Sequence, residues 1–172
     1  MNVELGETNR TKGIAMFTDI ITVELLREEQ VTDKAVNDIN SLLHKQRAGT
    51  EPVTKEHLLK CVGRMAIVVA WNDNERVIGL GVLTQSGGLN FRCAEIRHLI
   101  VSSGLDILSI GIRIVETLRE TCPYPVAYID GGAWVQDDEM KNIFIALGFR
   151  EKPGSRFRYR IVEPTETELR KS

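Results

Sequence analysis

Hydrophobic and polar positions along the chain fall into runs of two periods. Ile20-Ile21-Thr22-Val23 is β-branched and predicts a strand. From Thr32 the period lengthens. Val36, Ile39 and Leu43, with Ala35 and Leu42 beside them, recur at helical spacing, so a helix capped by Thr32 or Asp33 is expected to run to about Arg47, with Gly49 as its stop. Pro52-Val53-Thr54 opens a second, short helix with Leu58, Leu59 and Val62 inward, closed by Gly63. The period then drops again. Residues 65–71 form an unbroken apolar run, Asn72-Asp73-Asn74 a turn, and residues 77–83 a returning strand that contains Gly79 and Gly81. After a second turn at Ser86-Gly87-Gly88, residues 93–101 make a third strand, and three strands joined by tight turns predict an antiparallel meander.

The helical period returns after Ser102-Ser103-Gly104. Ile107, Ile110, Gly111, Ile114, Val115 and Leu118 share one face of a long helix that Pro123 and Pro125 end. Residues 126–129 read as a short strand interrupted by Gly131-Gly132, and residues 137–147 as a last helix with Met140, Ile143, Phe144 and Leu147 inward and Gly148 as its C-terminal stop. The alternation of Phe157, Tyr159 and Ile161 suggests a terminal hairpin. A helix between the strands at 93–101 and 126–129 implies one parallel pair within an otherwise antiparallel sheet. The expected class is α+β, a central mixed and mostly antiparallel sheet with helices on both faces. Residues 1–18 read as a flexible N-terminal arm, 19–162 as the domain, and 163–172 as a charged tail.

Composition narrows the field. At 172 residues, 42% apolar and 27% charged, the chain is sized for one globular domain with a real core. Twenty-two Lys and Arg against 24 Asp and Glu give a net charge of −2, so nucleic acid is not an expected partner. No apolar run approaches the ~20 residues of a membrane span, and the polar start lacks the apolar core of a secretory signal. Three cysteines (Cys61, Cys93, Cys122) without a CxxC pair, and three histidines without ligand spacing, predict no metal site and reduced thiols in a cytoplasmic protein. Arg156, Arg158 and Arg160 alternate with Phe157 and Tyr159, which reads as one exposed and one buried strand face. Asp137-Asp138-Glu139 suits the first turn of a helix through the dipole.

Three stretches in this order resemble the GNAT superfamily of acetyl-CoA-dependent N-acetyltransferases, over about residues 20–161. Val77-Ile78-Gly79-Leu80-Gly81-Val82-Leu83 is similar to the family's glycine-bearing strand. Residues 94–101 (AEIRHLIV) with the helix after them are similar to its cofactor strand and pyrophosphate helix, and residues 141–150 (KNIFIALGFR) to its closing signature. The resemblance implies acetyl-CoA as donor and an amine of a small molecule or protein as acceptor, with a homodimer left open. The strand edge at Leu99, Ile100 and Val101 would pair with the pantetheine amides, one of its N–H groups facing the thioester oxygen. The loop and helix start at Asp106, Ile107, Leu108, Ser109, Ile110, Gly111 and Ile112 would meet the pyrophosphate. Of the family's Gln/Arg-x-x-Gly-x-Gly/Ala pattern only Gly111 is kept. Asp106 and Ser109 depart from it, and Asp106 is also a good N-cap. Phe144 stands where the family writes the Tyr that serves as acid, with Tyr128 and Tyr159 as possible replacements. Glu95, six residues before Val101, is similar in position to the catalytic glutamate of histone-acetylating members and is the base candidate; the plainer reading of it is a solvent-facing strand carboxylate paired with Arg97 or Arg92. Strict strand alternation puts His98 on the face opposite Glu95, so at most one of them lines the acceptor channel. The alternative reading is a binding or regulatory protein of the same fold with weak or no turnover.

Overall fold

The computed structural model describes residues 20–86, 93–122, 128–131, 138–153 and 156–160. The expected arm (1–18), tail (163–172) and the glycines of the turn at 86–88 lie outside these residues. Strands β1 (Thr22–Leu25), β2 (Ala66–Trp71), β3 (Val77–Ser86), β4 (Cys93–Val101), β5 (Tyr128–Gly131), β6 (Arg150–Lys152) and β7 (Arg156–Arg160) form one sheet in the order β1-β2-β3-β4-β5-β7-β6. All neighbours are antiparallel except β4 and β5, which run parallel. Helices α1 (Asp33–Gln46) and α2 (Lys55–Val62) lie on one face, here the front; α3 (Ile107–Glu120) and α4 (Asp138–Ala146) lie on the back. The α+β class with helices on both faces is the observed one.

Local chemistry sets the ends. Thr32 and Thr54 cap α1 and α2 by accepting from Ala35 N and His57 N, each at 3.2 Å, and Gly148 takes φ +78° where α4 stops. A short 3-10 turn at Glu28–Gln30, which the periodicity does not announce, links β1 to α1. Of the strand expected at 126–129, Val126 and Ala127 lie outside the described residues, as does Gly132; Tyr128–Gly131 is strand, and Gly131 is paired with Ile96 rather than breaking it.

Two cores sandwich the sheet. In front, Val36, Ile39 and Leu43 of α1 and Leu58 of α2 cover Ile67, Val69, Leu80 and Ile100; behind, Ile110, Ile114 and Leu118 of α3 with Ile143 and Phe144 of α4 cover Val68, Leu83, Ile96 and Leu99. Asp38 is the buried charge of the front core among the described residues. It is held by Arg76 through its Nη2 at 2.7 Å and by the N–H of Val77 at 3.1 Å, which ties α1 to the β2–β3 turn. Gly79 and Gly81 are shaped by the back layer. A Cβ on Gly79 would come within 2.9 Å of Ile114 Cδ1, and one on Gly81 within 2.9 Å of Leu118 Cδ1, so the two glycines make a shallow trough that receives α3.

Candidate active site

Among the described residues, the sheet opens between its two parallel strands. β5 pairs with β4 from Cys93↔Tyr128 to Ile96↔Gly131, while β4 runs on to Val101. Past Ile96, β4 is paired on its other side only, with Val82, Gly81, Leu80 and Gly79 of β3, among the described residues. Alternate N–H and C=O groups from Arg97 to Val101 therefore point to the β5 side, where no described residue pairs with them. Leu99, Ile100 and Val101 sit on this open edge, and the chain leads from it through Ser102–Leu105 straight into α3.

A bulge lies at the mouth of this fork. Val82 pairs with His98 and the next residue, Leu83, with Ile96, so Arg97 is an extra residue in β4. The bulge changes which way the strand faces. Ala94 and Ile96 before it, and Leu99 and Val101 after it, all face the back core; Ile100 faces the front core. His98, one pleat from Ile100, lies on the front face with Val82 and reaches Gln46 Oε1 at the end of α1 at 3.4 Å. Glu95 is also on the front face, opposite Thr84. The expectation from strict alternation is thus overturned: one inserted residue brings Glu95 and His98 onto the same side. The signal was present in the sequence, because the apolar positions shift from even (94, 96) to odd (99, 101) numbers across Arg97-His98.

A row of polar side chains lies on the front face at the mouth of the fork. Glu95 has 22% of its side chain exposed and is held by Arg97 Nη2 at 3.0 Å. Across the parallel pair, Glu95 is in register with Asp130, and Asp130 in turn with Arg158. Arg158 grips Asp130 with two parallel hydrogen bonds of 2.7 Å, from Nε and Nη2, and stacks its guanidinium 5.0 Å from the Tyr128 ring. The Asp130 carboxylate raises the Arg158 pKa and secures its charge. Asp130 was not singled out in the sequence, where it is one acid in a short strand, whereas Arg97 is the partner that the plainer reading of Glu95 expects. Burial, helped by the Arg97 charge, pushes the His98 imidazole below its usual range, so the ring is neutral at pH 7.

The start of α3 is arranged differently. Asp106 is its N-cap, and the Asp106 Oδ1 accepts from Ser109 N at 3.0 Å. That bond satisfies one of the helix's open N–H groups with the chain's own carboxylate and leaves those of Ile107 and Leu108 without a helical partner. Leu108 is exposed, whereas Ile110 is buried. Gly111 sits where α3 crosses α4: a Cβ there would run into the Ile143 side chain. Ile112, half-buried, packs against the back core. Phe144 is 1% exposed and lies against Gly131 at the end of β5, with its ring 5.0 Å from Phe149 and 5.4 Å from Phe157. The Tyr159 hydroxyl accepts from Arg119 Nη2 at 2.8 Å on the back face. Tyr128, one pleat from Asp130, is the phenol on the front face with Glu95. An open cleft of about 560 Å³, lined by Leu25, Arg64, Met65, Thr84 and Thr121 among others, lies toward the C-terminal end of α3 and touches the polar row only at Thr84. No helix among the described residues is long and apolar enough to cross a membrane.

No protein-family model matches the sequence, and neither does any curated protein. Solved structures do match. The chain is similar to a GNAT superfamily phosphinothricin acetyltransferase from Sinorhizobium meliloti in complex with acetyl-CoA, with 14% identity, a TM-score of 0.60 and coverage of 85% of this chain and 91% of the other. It is similar to a chain of the NatC complex bound to Gag peptide and CoA (16% identity, TM-score 0.61, 83% of this chain and 99% of the other). An aminoglycoside 6′-acetyltransferase of type Ii also matches, at 14% identity and a TM-score of 0.60, over 83% of this chain and 99% of the other. The chain has the fold of the GNAT acetyltransferases.

Proposed function

We propose that this GNAT-fold chain is an N-acyltransferase that moves an acetyl group from acetyl-CoA to the amine of a small molecule or protein. The observation that carries the reading is the fork: β4 continues past its last β5 pair and offers an open edge at Leu99, Ile100 and Val101 that ends at the start of α3. An extended donor with amide groups can add to such an edge as a strand would. The resemblance of the fold to structures that hold acetyl-CoA or CoA supports the choice of donor. Glu95, beside the fork, is the carboxylate that receives the acceptor's ammonium group, and an N–H of the open edge faces the thioester oxygen as it gains charge. Three cysteines outside any disulfide suit a cytoplasmic setting.

Thermal shift with acetyl-CoA, followed by thiol release in the presence of primary amines, tests this reading. A donor at a hundred times its Kd stabilises the fold by about 2.7 kcal/mol, and its thiol is released only when an acceptor is present. Absence of both a shift and thiol release at millimolar acetyl-CoA sinks the enzyme reading. Glu95→Gln is expected to raise the acceptor KM by roughly 10- to 100-fold, the worth of one hydrogen bond to a charged group, and to leave the thermal shift with acetyl-CoA unchanged.

A second reading, a binding or regulatory protein of this fold with weak or no turnover, is favoured by one observation: the Asp106 carboxylate already occupies Ser109 N at the helix start. Its signature is a measurable thermal shift with no thiol release for any amine.

A further inference from the structure

We propose that His98 is the proton acceptor of the transfer reaction, and that Glu95, locked to Arg97, holds the acceptor amine without taking its proton. The inference rests on the acyltransferase reading above and assigns the chemistry within that site.

Geometry carries it. The bulge at Arg97 places His98 on the face that carries Glu95, two residues beyond the last β4–β5 pair at Ile96 and therefore at the mouth of the fork. Gln46 meets the ring at Nδ1, 3.4 Å from its Oε1, and an amide oxygen only accepts. With that oxygen turned toward the ring, the contact selects the tautomer with Nδ1–H, in which Nε2 keeps its lone pair. Glu95 is less suited to the task, since Arg97 Nη2 at 3.0 Å already engages one of its two oxygens. The groups around the ring agree. Arg97 and Glu95 flank it on β4, and Asp130 faces Glu95 from β5. Val82 opposes it from β3 with Ile67 of β2 beyond, both apolar, and Lys45 and Arg47 flank Gln46 at the end of α1. Burial and the neighbouring Arg97 both favour the neutral ring, which is the form able to accept a proton at pH 7.

The step balances as follows. An acceptor ammonium gives one proton to His98 Nε2, and the freed nitrogen lone pair forms a bond to the thioester carbonyl carbon. Collapse of the tetrahedral intermediate breaks the carbon–sulfur bond, and the electron pair leaves on sulfur. The thiolate takes the second nitrogen proton, and the imidazolium returns the first to water.

The test uses the full chain, acetyl-CoA and the best acceptor from a panel holding a polyamine, an amino acid, an aminoglycoside and a peptide amino terminus. His98→Ala is expected to lose roughly 100-fold or more in kcat, within the range of a general base. Its acetyl-CoA thermal shift stays at the wild-type value, and imidazole in the buffer restores at least part of the rate. The acid limb of the wild-type pH–rate profile disappears in His98→Ala and persists in Glu95→Gln, where the acceptor KM moves instead. His98→Gln covers the case in which the alanine variant fails to fold. Nitrogen NMR of the wild-type ring at pH 7 is expected to show a protonated Nδ1 and a bare Nε2. Unchanged kcat in both His98 variants, or an acid limb that survives them, overturns the assignment while the acyltransferase reading stands. No thiol release by the wild type with any acceptor overturns both.

Discussion

The mouth of the β4–β5 fork and the start of α3 are separated by only a few residues of chain, yet they settle their polar groups in opposite ways. At the fork, an irregular strand leaves its edge open and gathers Glu95, Arg97, His98, Asp130 and Arg158 on one face. At the helix start, a regular N-cap folds the Asp106 carboxylate back onto Ser109 N. The fork gains reach by breaking a repeat, whereas the helix start gains stability by completing one. An outside anion at α3 competes with a carboxylate that the chain supplies. A charge ~5 Å from another costs about 3 kcal/mol at an effective dielectric near 20, and salt screens most of that at an exposed position.

The contrast can be broken most forcefully from behind. Phe144 backs Gly131, the last residue of β5 to pair with β4, and is completely enclosed. Phe144→Ala is expected to cost about 3–5 kcal/mol in denaturant unfolding and to weaken acetyl-CoA binding, because the fork loses its support. Retention of full stability and donor binding would mean that the fork holds itself open without this ring. The next effect sharpens the other region. Asp106→Ser keeps a capping oxygen and removes the charge, so stability should hold while CoA affinity, read by calorimetry, rises several-fold. Asp106→Ala should lose about 1 kcal/mol of stability with the cap and also gain affinity. Equal affinity in all three proteins would show that the carboxylate does not stand in the donor's way.

The smallest effect is a pH dependence of stability. The folded His98 pKa lies below that of the unfolded chain. The unfolded chain therefore binds more protons in the interval between the two values, and stability rises with pH across it. The contribution is complete above about pH 6.5, the ordinary histidine value, and is lost as pH falls toward the folded value. His98→Asn should flatten that part of a melting-temperature profile, and an unaltered slope would place the ring in water rather than against Gln46 and Val82.

Local signals in the sequence were sufficient for most of the scaffold. Thr32 and Thr54 are the caps that their side chains suggest, and β4 has the bounds of its apolar run. Gly148 ends α4 because the backbone there turns left-handed. What was not legible depends on partners far along the chain. Gly111 is matched by a phosphate-loop pattern, yet its close neighbour is Ile143, 32 positions away. The alternation of Arg156, Arg158 and Arg160 marks an outer face but does not say that Arg158 is held by Asp130. Strict alternation in β4 gives the wrong side for His98, because a period-2 reading carries no term for an inserted residue.

The glycine trough in β3 has a mechanical consequence. Ile114 and Leu118 are seated where Gly79 and Gly81 have no side chains, so α3 is keyed to the sheet at its middle and cannot slide along its axis without driving those residues into neighbouring strands. The trough acts as a detent. In the acyltransferase reading, any adjustment to a donor at the near end of the helix would therefore fall to the linker at Ser102–Leu105, where Gly104 holds a positive φ of 84°.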